Sequence, residues 1–244
     1  MRIILSESTQ EAVTIVATMV TDRISSHPNS VIGLATGKTM EPVYAEWARL
    51  AQIQNLKSEK CFFFMLDEYM GLPKGHPASF RTYIEKRVLN PLNLHVDQFS
   101  FPPVFADSIH EAASHYELSL KEAGGIDLQL LGIGGNGHIG FNEPGSLKNS
   151  RTRLVELTPE TRKANESDFP NGDMPMRALS MGIETILQGK HLVMLATGKS
   201  KADAIKYLMN HHDDPTCPAT FLKSHPNFTL VLDPDAASKI NLKI

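Results

Sequence analysis

Basic residues are not in excess in this chain, cysteine is scarce, and no apolar run is long. Lys and Arg number 24 against 27 Asp and Glu, a net charge of −3. That balance, with no basic run, gives nothing for nucleic acid or an anionic membrane to bind. Only Cys61 and Cys217 are present, far apart and in or beside apolar runs, so two buried free thiols are expected rather than a disulfide. No apolar stretch approaches the ~20 residues that span a bilayer. The start, MRIILSES, is too short in its apolar part for a signal peptide and runs into a polar helix start. A cytoplasmic location is expected. No Pro-, Gly- or Ser-rich linker, repeat or low-complexity tract divides the chain, so residues 1–244 are expected to form a single domain.

What is present is an alternation. Four apolar runs read as strands buried on both faces: VIGLATG (31–37), CFFFMLDEY (61–69), IDLQLLGIG (126–134) and HLVMLATG (191–198). MRIILS (1–6) and FTLVLD (228–233) are shorter candidates, and RTRLVEL reads as a short strand. Helical patterns separate the main runs, the first opening at Ser8 with Glu11 three residues on. The expected fold is α/β: an open, mostly parallel, doubly wound, Rossmann-like sheet with helices on both faces. The polar stretch 158–176, broken by Pro and Gly, reads as a lid or a surface excursion. In such sheets ligands bind beyond the carboxyl ends of the strands. Here those ends read ATGKT, LDEY, GIGGNGH and ATGKSK.

LLGIGGNGHIGFNEPGS (130–146) holds G-x-G-x-x-G at Gly132, Gly134 and Gly137. A dinucleotide loop would lead into a helix whose N–H groups face pyrophosphate. Pro144 and Gly145 interrupt any helix here, so no nucleotide cofactor is expected. The alternative gives the loop its own chemistry. His138 lies five residues before Glu143, and a carboxylate that fixes a histidine's tautomer makes it an acid/base. At the other strand ends, Thr36, Gly37, Lys38 and Thr39 form a turn suited to phosphate, although the spacing from Gly33 to Gly37 is one residue short of a Walker A loop. LATGKSK repeats that chemistry with Lys199 and Lys201. Asp67 and Glu68 close an apolar run, where a desolvated carboxylate has a raised pKa and can act as a base. Phosphate site, carboxylate base and histidine together point to proton abstraction beside a carbonyl carbon.

Several residues have bland readings. His211, His212, Asp213 and Asp214 lack metal-ligand spacing and read as a solvated helix end, so no metal is expected. Tyr44 and Trp47 sit at helical spacing and read as core, while His225, before Pro226, reads as structural and His76 as a loop residue.

With GLATGKT, LDEYMGLPKGHPASF, LLGIGGNGHIGFNEPGS, SRTRLVELTPETRKAN, ALSMGIETIL and LATGKSKADAI in this order, the chain resembles the glucosamine-6-phosphate deaminase family. That family lies in the superfamily that also holds 6-phosphogluconolactonases and galactosamine-6-phosphate isomerases. The resemblance spans residues 31 to about 206. It implies a hexosamine 6-phosphate as the small-molecule partner, no metal or organic cofactor, and release of ammonia with formation of fructose 6-phosphate. It implies that His138, oriented by Glu143, opens the sugar ring, that Asp67 moves the C2 proton, and that Thr36, Gly37, Lys38, Thr39 and Lys201 hold phosphate. The chain departs from the family's pattern in three places. Asn136 stands where many relatives have Asp. Ser167 replaces an arginine that contacts phosphate, a role then expected of Arg177. Val155 replaces a lysine of the allosteric enzymes, which makes regulation by an acetylated sugar phosphate unexpected. Alternatives are the galactosamine epimer, then a lactonase, or a catalytically silent sugar-phosphate sensor; monomer and homo-oligomer both stay open.

Overall fold

The computed structural model describes residues 1–241. Among the described residues, ten strands run in chain order. They are β1 (Arg2–Leu5), β2 (Val31–Leu34), β3 (Phe62–Met65), β4 (Asp67–Tyr69), β5 (Phe99–Ser100), β6 (Leu128–Leu131), β7 (Arg153–Glu156), β8 (Arg177–Ser180), β9 (Leu192–Ala196) and β10 (Phe228–Leu232). Between them lie α1 (Thr9–Ser26), α2 (Glu41–Gln54), α3 (Phe80–Ile84), α4 (Ile109–Glu122), α5 (Pro159–Asn165), α6 (Ile183–Leu187) and α7 (Ala202–Asn210).

Seven strands form one sheet in the order β1-β10-β9-β6-β2-β3-β5, every pair parallel. All residues of β2, β6, β9 and β10 are buried, so helices must cover both faces. The expected doubly wound α/β fold is borne out. α1 starts as its sequence requires: the Ser8 hydroxyl accepts from the Glu11 N–H at 3.1 Å. Its buried side chains, Ala12, Val13, Val16, Ala17, Val20 and Ile24, form one stripe. Tyr44 and Trp47 are fully buried on α2, and both cysteines are free and buried.

One expectation needs correcting. The run 61–69 is two strands, not one. β3 belongs to the large sheet, the chain turns at Leu66, and β4 enters a second sheet. That sheet is antiparallel, ordered β4-β8-β7. It carries a small core of its own from Tyr69, Leu72, Phe141, Leu157, Phe169 and Ala178. The break aims Asp67 away from the large core.

The sheet order also fixes the site. β2 continues to β3 on one side, whereas β6 lies on its other side, so the winding reverses between β2 and β6. That reversal is where open α/β sheets leave a crevice. The ends of β9, β6, β2 and β3, four neighbours in space, all open onto it.

Candidate active site

Beyond those four strand ends lies a cleft of about 590 Å³. Its lining includes Thr36, Gly37, Lys38 and Thr39 after β2, Asp67 after β3, Gly134, Gly135 and His138 after β6, and Thr197, Ser200 and Lys201 after β9. A larger depression of about 920 Å³ lies beside α4. Its one acid, the half-buried Glu117, is already held by Thr152, Thr185 and Arg151, which leaves it no chemistry to offer.

The two acids that begin β4 have opposite fates, because successive side chains on a strand point to opposite faces. Glu68 is buried but fully satisfied. One oxygen accepts from the N–H groups of Tyr69 (2.8 Å) and Phe80 (3.0 Å), the other from the Ser79 hydroxyl (2.8 Å) and the Arg81 N–H (2.8 Å). It anchors the start of α3. Asp67 is equally buried and, among the described residues, accepts no hydrogen bond. Burial first, and the Glu68 charge second, push its carboxyl up to about 8. The backbone leaves room for it only because residue 140 is glycine: at φ +56° a Cβ there would stand 3.1 Å from the Asp67 Oδ2.

The loop after β6 is built around one imidazole. A Cβ on Gly134 would lie 2.2 Å from the His138 ring, so the glycines that mimic a dinucleotide loop let a histidine fold back over the backbone. Turns and an isolated bridge between Ile139 and Asn142 follow, not a helix.

The His138 Nδ1 lies 2.8 Å from the Asn136 Oδ1 and 3.6 Å from the Glu143 Oε2. The Asn136 amide donates to that same Glu143 oxygen at 3.0 Å, and the His138 backbone N–H donates to the Asn136 Oδ1 at 3.2 Å. Glu143 therefore fixes the amide, and the amide oxygen fixes a proton on Nδ1. Nε2 is left as the free acceptor. The expected orientation of His138 by Glu143 thus runs through Asn136. Thr161 from α5 donates to the other Glu143 oxygen. Burial alone would raise the Glu143 carboxyl, but the bonds from His138, Thr161 and Asn136 hold it below the usual carboxylate range.

The cationic end of the cleft is shaped by backbone. Gly37 has φ +102°, and Tyr83 donates to its carbonyl at 2.9 Å. Across from it, the Gly198 N–H donates to the buried Asp233 carboxylate at 3.0 Å. That bond sets the turn into Lys199–Lys201. Burial lowers the Lys201 ammonium from its ordinary value, as it does for a cation waiting for an anion.

Of the residues expected at the site, Thr36, Gly37, Lys38, Thr39, Asp67, His138 and Lys201 line one cleft, with Asn136 and Glu143 directly behind the imidazole. Arg177 does not join them. It is exposed at the start of β8, opposite Glu156, while Ser180 at the other end of that strand pairs with Asp67. Three residues of strand, about 10 Å, separate its backbone from the position facing Asp67. The stretch 158–176 was under-read. Thr158 and Pro159 start a real helix, and Thr161, Asn165 and Asp168 help form the cleft wall. The Thr-Pro cap was the signal for it. Tyr69, Phe80 and Phe141 also line the cleft; nothing in their spacing separates them from core. His211 instead stacks on Tyr207, and the His225 Nδ1 accepts from the Asn227 N–H at 3.2 Å.

The chain matches the family described as Glucosamine-6-phosphate isomerases/6-phosphogluconolactonase over residues 5–231. A glucosamine-6-phosphate deaminase from Rhodopirellula baltica is 44% identical over 227 residues, 93% of this chain and 90% of that one. One from Clostridium botulinum (strain Kyoto / Type A2) is 39% identical over 244 residues, all of both chains. A solved structure of a monomeric glucosamine-6-phosphate deaminase superposes with a TM-score of 0.95 at 38% identity, covering 98% of this chain and all of that one. A 6-phosphogluconolactonase from Trypanosoma cruzi shares the fold, with a TM-score of 0.76 at 19% identity.

Proposed function

Since the chain belongs to the glucosamine-6-phosphate isomerase/6-phosphogluconolactonase family, we propose that it converts glucosamine 6-phosphate and water into fructose 6-phosphate and ammonia. The observation that carries this reading is a bare buried carboxyl, Asp67, in one cleft with an imidazole whose Nε2 is free and with Lys38 and Lys201. A phosphate fits the cationic end. There the Thr36–Thr39 turn, Ser200 and Lys201 offer amides, hydroxyls and charge.

Chemistry then follows from the proton positions. The His138 Nε2 takes the proton of the C1 hydroxyl and returns it to the ring oxygen, which opens the ring to an aldehyde. Asp67 as carboxylate removes the C2 proton, and the ammonium group gives one proton to the C1 oxygen, leaving an enolamine across C1 and C2. Returning that proton to C1 gives the C2 imine. Water adds to this imine, C2 expels ammonia, and the ketone remains. No electron leaves the substrate, so the steps need no redox partner. A base whose pKa is about 8 lies near the operating pH, where general-base catalysis contributes roughly 10²–10⁴-fold.

The two sheets share this one cleft, which supports treating the chain as one catalytic domain. No helix among the described residues is long and apolar enough to cross a membrane, consistent with a cytoplasmic amino-sugar enzyme. The galactosamine epimer rests on Arg177, which stands outside the cleft, and on Ser167 in place of an arginine. The deciding experiment is a coupled ammonia assay with glucosamine 6-phosphate, galactosamine 6-phosphate and 6-phosphogluconolactone. Ammonia from the first substrate at the highest kcat/KM is expected; lactone hydrolysis without ammonia would refute the reading.

A further inference from the structure

We propose that Asp168 makes this cleft selective for an amino sugar, its carboxylate receiving the ammonium group at C2 of the substrate. The inference deepens the deaminase reading and rests on it. A hexosamine 6-phosphate carries two charges of opposite sign, separated by the length of the sugar. The cleft is polarised in the same way. Lys38 and Lys201 are its lysines, and Asp67 and Asp168 its aspartates. The phosphate takes the lysine end. Asp67 is reserved for the C2 proton, and burial keeps it protonated below about pH 8, so it offers an ammonium little charge. Asp168 is the remaining anion of the wall.

Its position relative to Asp67 follows from the strand. Asp67 and Tyr69 are two residues apart on β4, so both side chains leave the same face. Asp168 ends a single helical turn, Glu166–Asp168, that leans on Tyr69 from both sides. Just before the turn, the Asn165 amide donates to the Tyr69 hydroxyl at 3.2 Å. Just after it, Phe169 is buried edge-on against the Tyr69 ring at 5.3 Å. The carboxylate is therefore held on a fixed wall rather than on a loose loop. Its charge is felt at Tyr69, where it adds to burial and Asp67 in raising the phenol. A sugar whose C2 faces Asp67 turns its C2 substituent toward this wall. A hydroxyl there gains nothing from a carboxylate that an ammonium gains. For a solvent-exposed pair the difference amounts to at most about fivefold in affinity.

The test uses two unreactive ligands that differ only at C2: 2-amino-2-deoxyglucitol 6-phosphate and glucitol 6-phosphate. Calorimetry at pH 6.5, where Asp67 stays neutral, reads the affinity ratio. The wild-type protein is expected to prefer the amino compound about fivefold. In Asp168→Asn the preference falls to within about twofold, with glucitol 6-phosphate binding unchanged. Asp168 is exposed, so the variant is expected to fold, and a thermal melt checks it. A preference that survives in Asp168→Asn overturns the inference, as does a wild type that binds both compounds equally. If the preference collapses as expected but wild type releases no ammonia, the inference stands and the deaminase reading falls. If ammonia is released and the preference is untouched, the reverse holds. Failure of both ligands to bind wild type rejects both.

Discussion

Asp67→Asn is expected to stabilise the protein while abolishing its activity, and the gain should depend on pH. The wild-type carboxyl has an ordinary value of 3.8 when unfolded and about 8 when folded. A raised folded value means that folding favours the protonated form. The stability it contributes is complete below about pH 4 and is lost as pH climbs toward 8. Between pH 4.5 and 7.5 the shift corresponds to about 4 kcal/mol at 1.36 kcal/mol per unit. Asp67 opens onto a wet cleft, so about 2–3 kcal/mol is the realistic size. Asparagine has nearly the same shape and no charge to bury. Its unpartnered amide costs a pH-independent amount of about 1–2 kcal/mol. The assay is urea unfolding of both proteins from pH 4.5 to 8.5. The variant should gain on wild type steadily across that range. A stability difference that stays flat with pH would refute the claim that Asp67 is a desolvated carboxyl. The same titration should appear in catalysis: kcat/KM rises with pH along a limb centred near 8, because only the ionised form can accept the C2 proton.

The other perturbations separate the roles of neighbouring groups. Asn136→Leu removes the amide that holds the His138 Nδ1 proton, so kcat should drop about 10²-fold with little change in KM, and Asn136→Asp should restore most of it; equal losses in both variants would deny the amide a positioning role. Lys201→Gln should raise KM for the sugar phosphate at least about tenfold with kcat less affected, read from steady-state ammonia release. Glu68→Ala strands four donors, two of them at the start of α3, and should lower unfolding stability by about 3–5 kcal/mol in urea titrations, in contrast to the gain at its neighbour Asp67.

The central sheet was legible because buried parallel strands have only one way to look: β2, β6 and β9 are short apolar blocks ended by glycine. The second sheet was not legible. β4 follows β3 with only Leu66 between them and no turn residue, and only the pairing of Asp67 with Ser180 on β8 shows that the chain has changed sheets. β8 is a four-residue strand, and β5 is two residues long. α5 was hidden by its polar face, since it buries Thr161 rather than an apolar stripe. Helices of this kind are held by specific polar contacts, and hydrophobic periodicity does not detect them.

The structure brings the expected residues together where chemistry needs a particular side chain, and sequence leaves the choice open where geometry selects among equals. Asp67 and Glu68 are adjacent, both acidic and both buried. Nothing in LDEY says which one is stripped of partners; the alternation of β4 decides it, sending Glu68 to the amides of α3 and Asp67 to the cleft. The family resemblance, through related enzymes with an arginine at this place before ALSMG, gives Arg177 the phosphate role that Ser167 cannot fill. β8 runs antiparallel to β4 and carries its first residue away from Asp67. The replaced arginine leaves a different trace. Its segment presents an acid, Asp168, to the cleft, so this wall no longer attracts phosphate at all. The lysines at the ends of β2 and β9 are then the charges the cleft offers a phosphate, which is why Lys201 should matter more to KM than any other single cation.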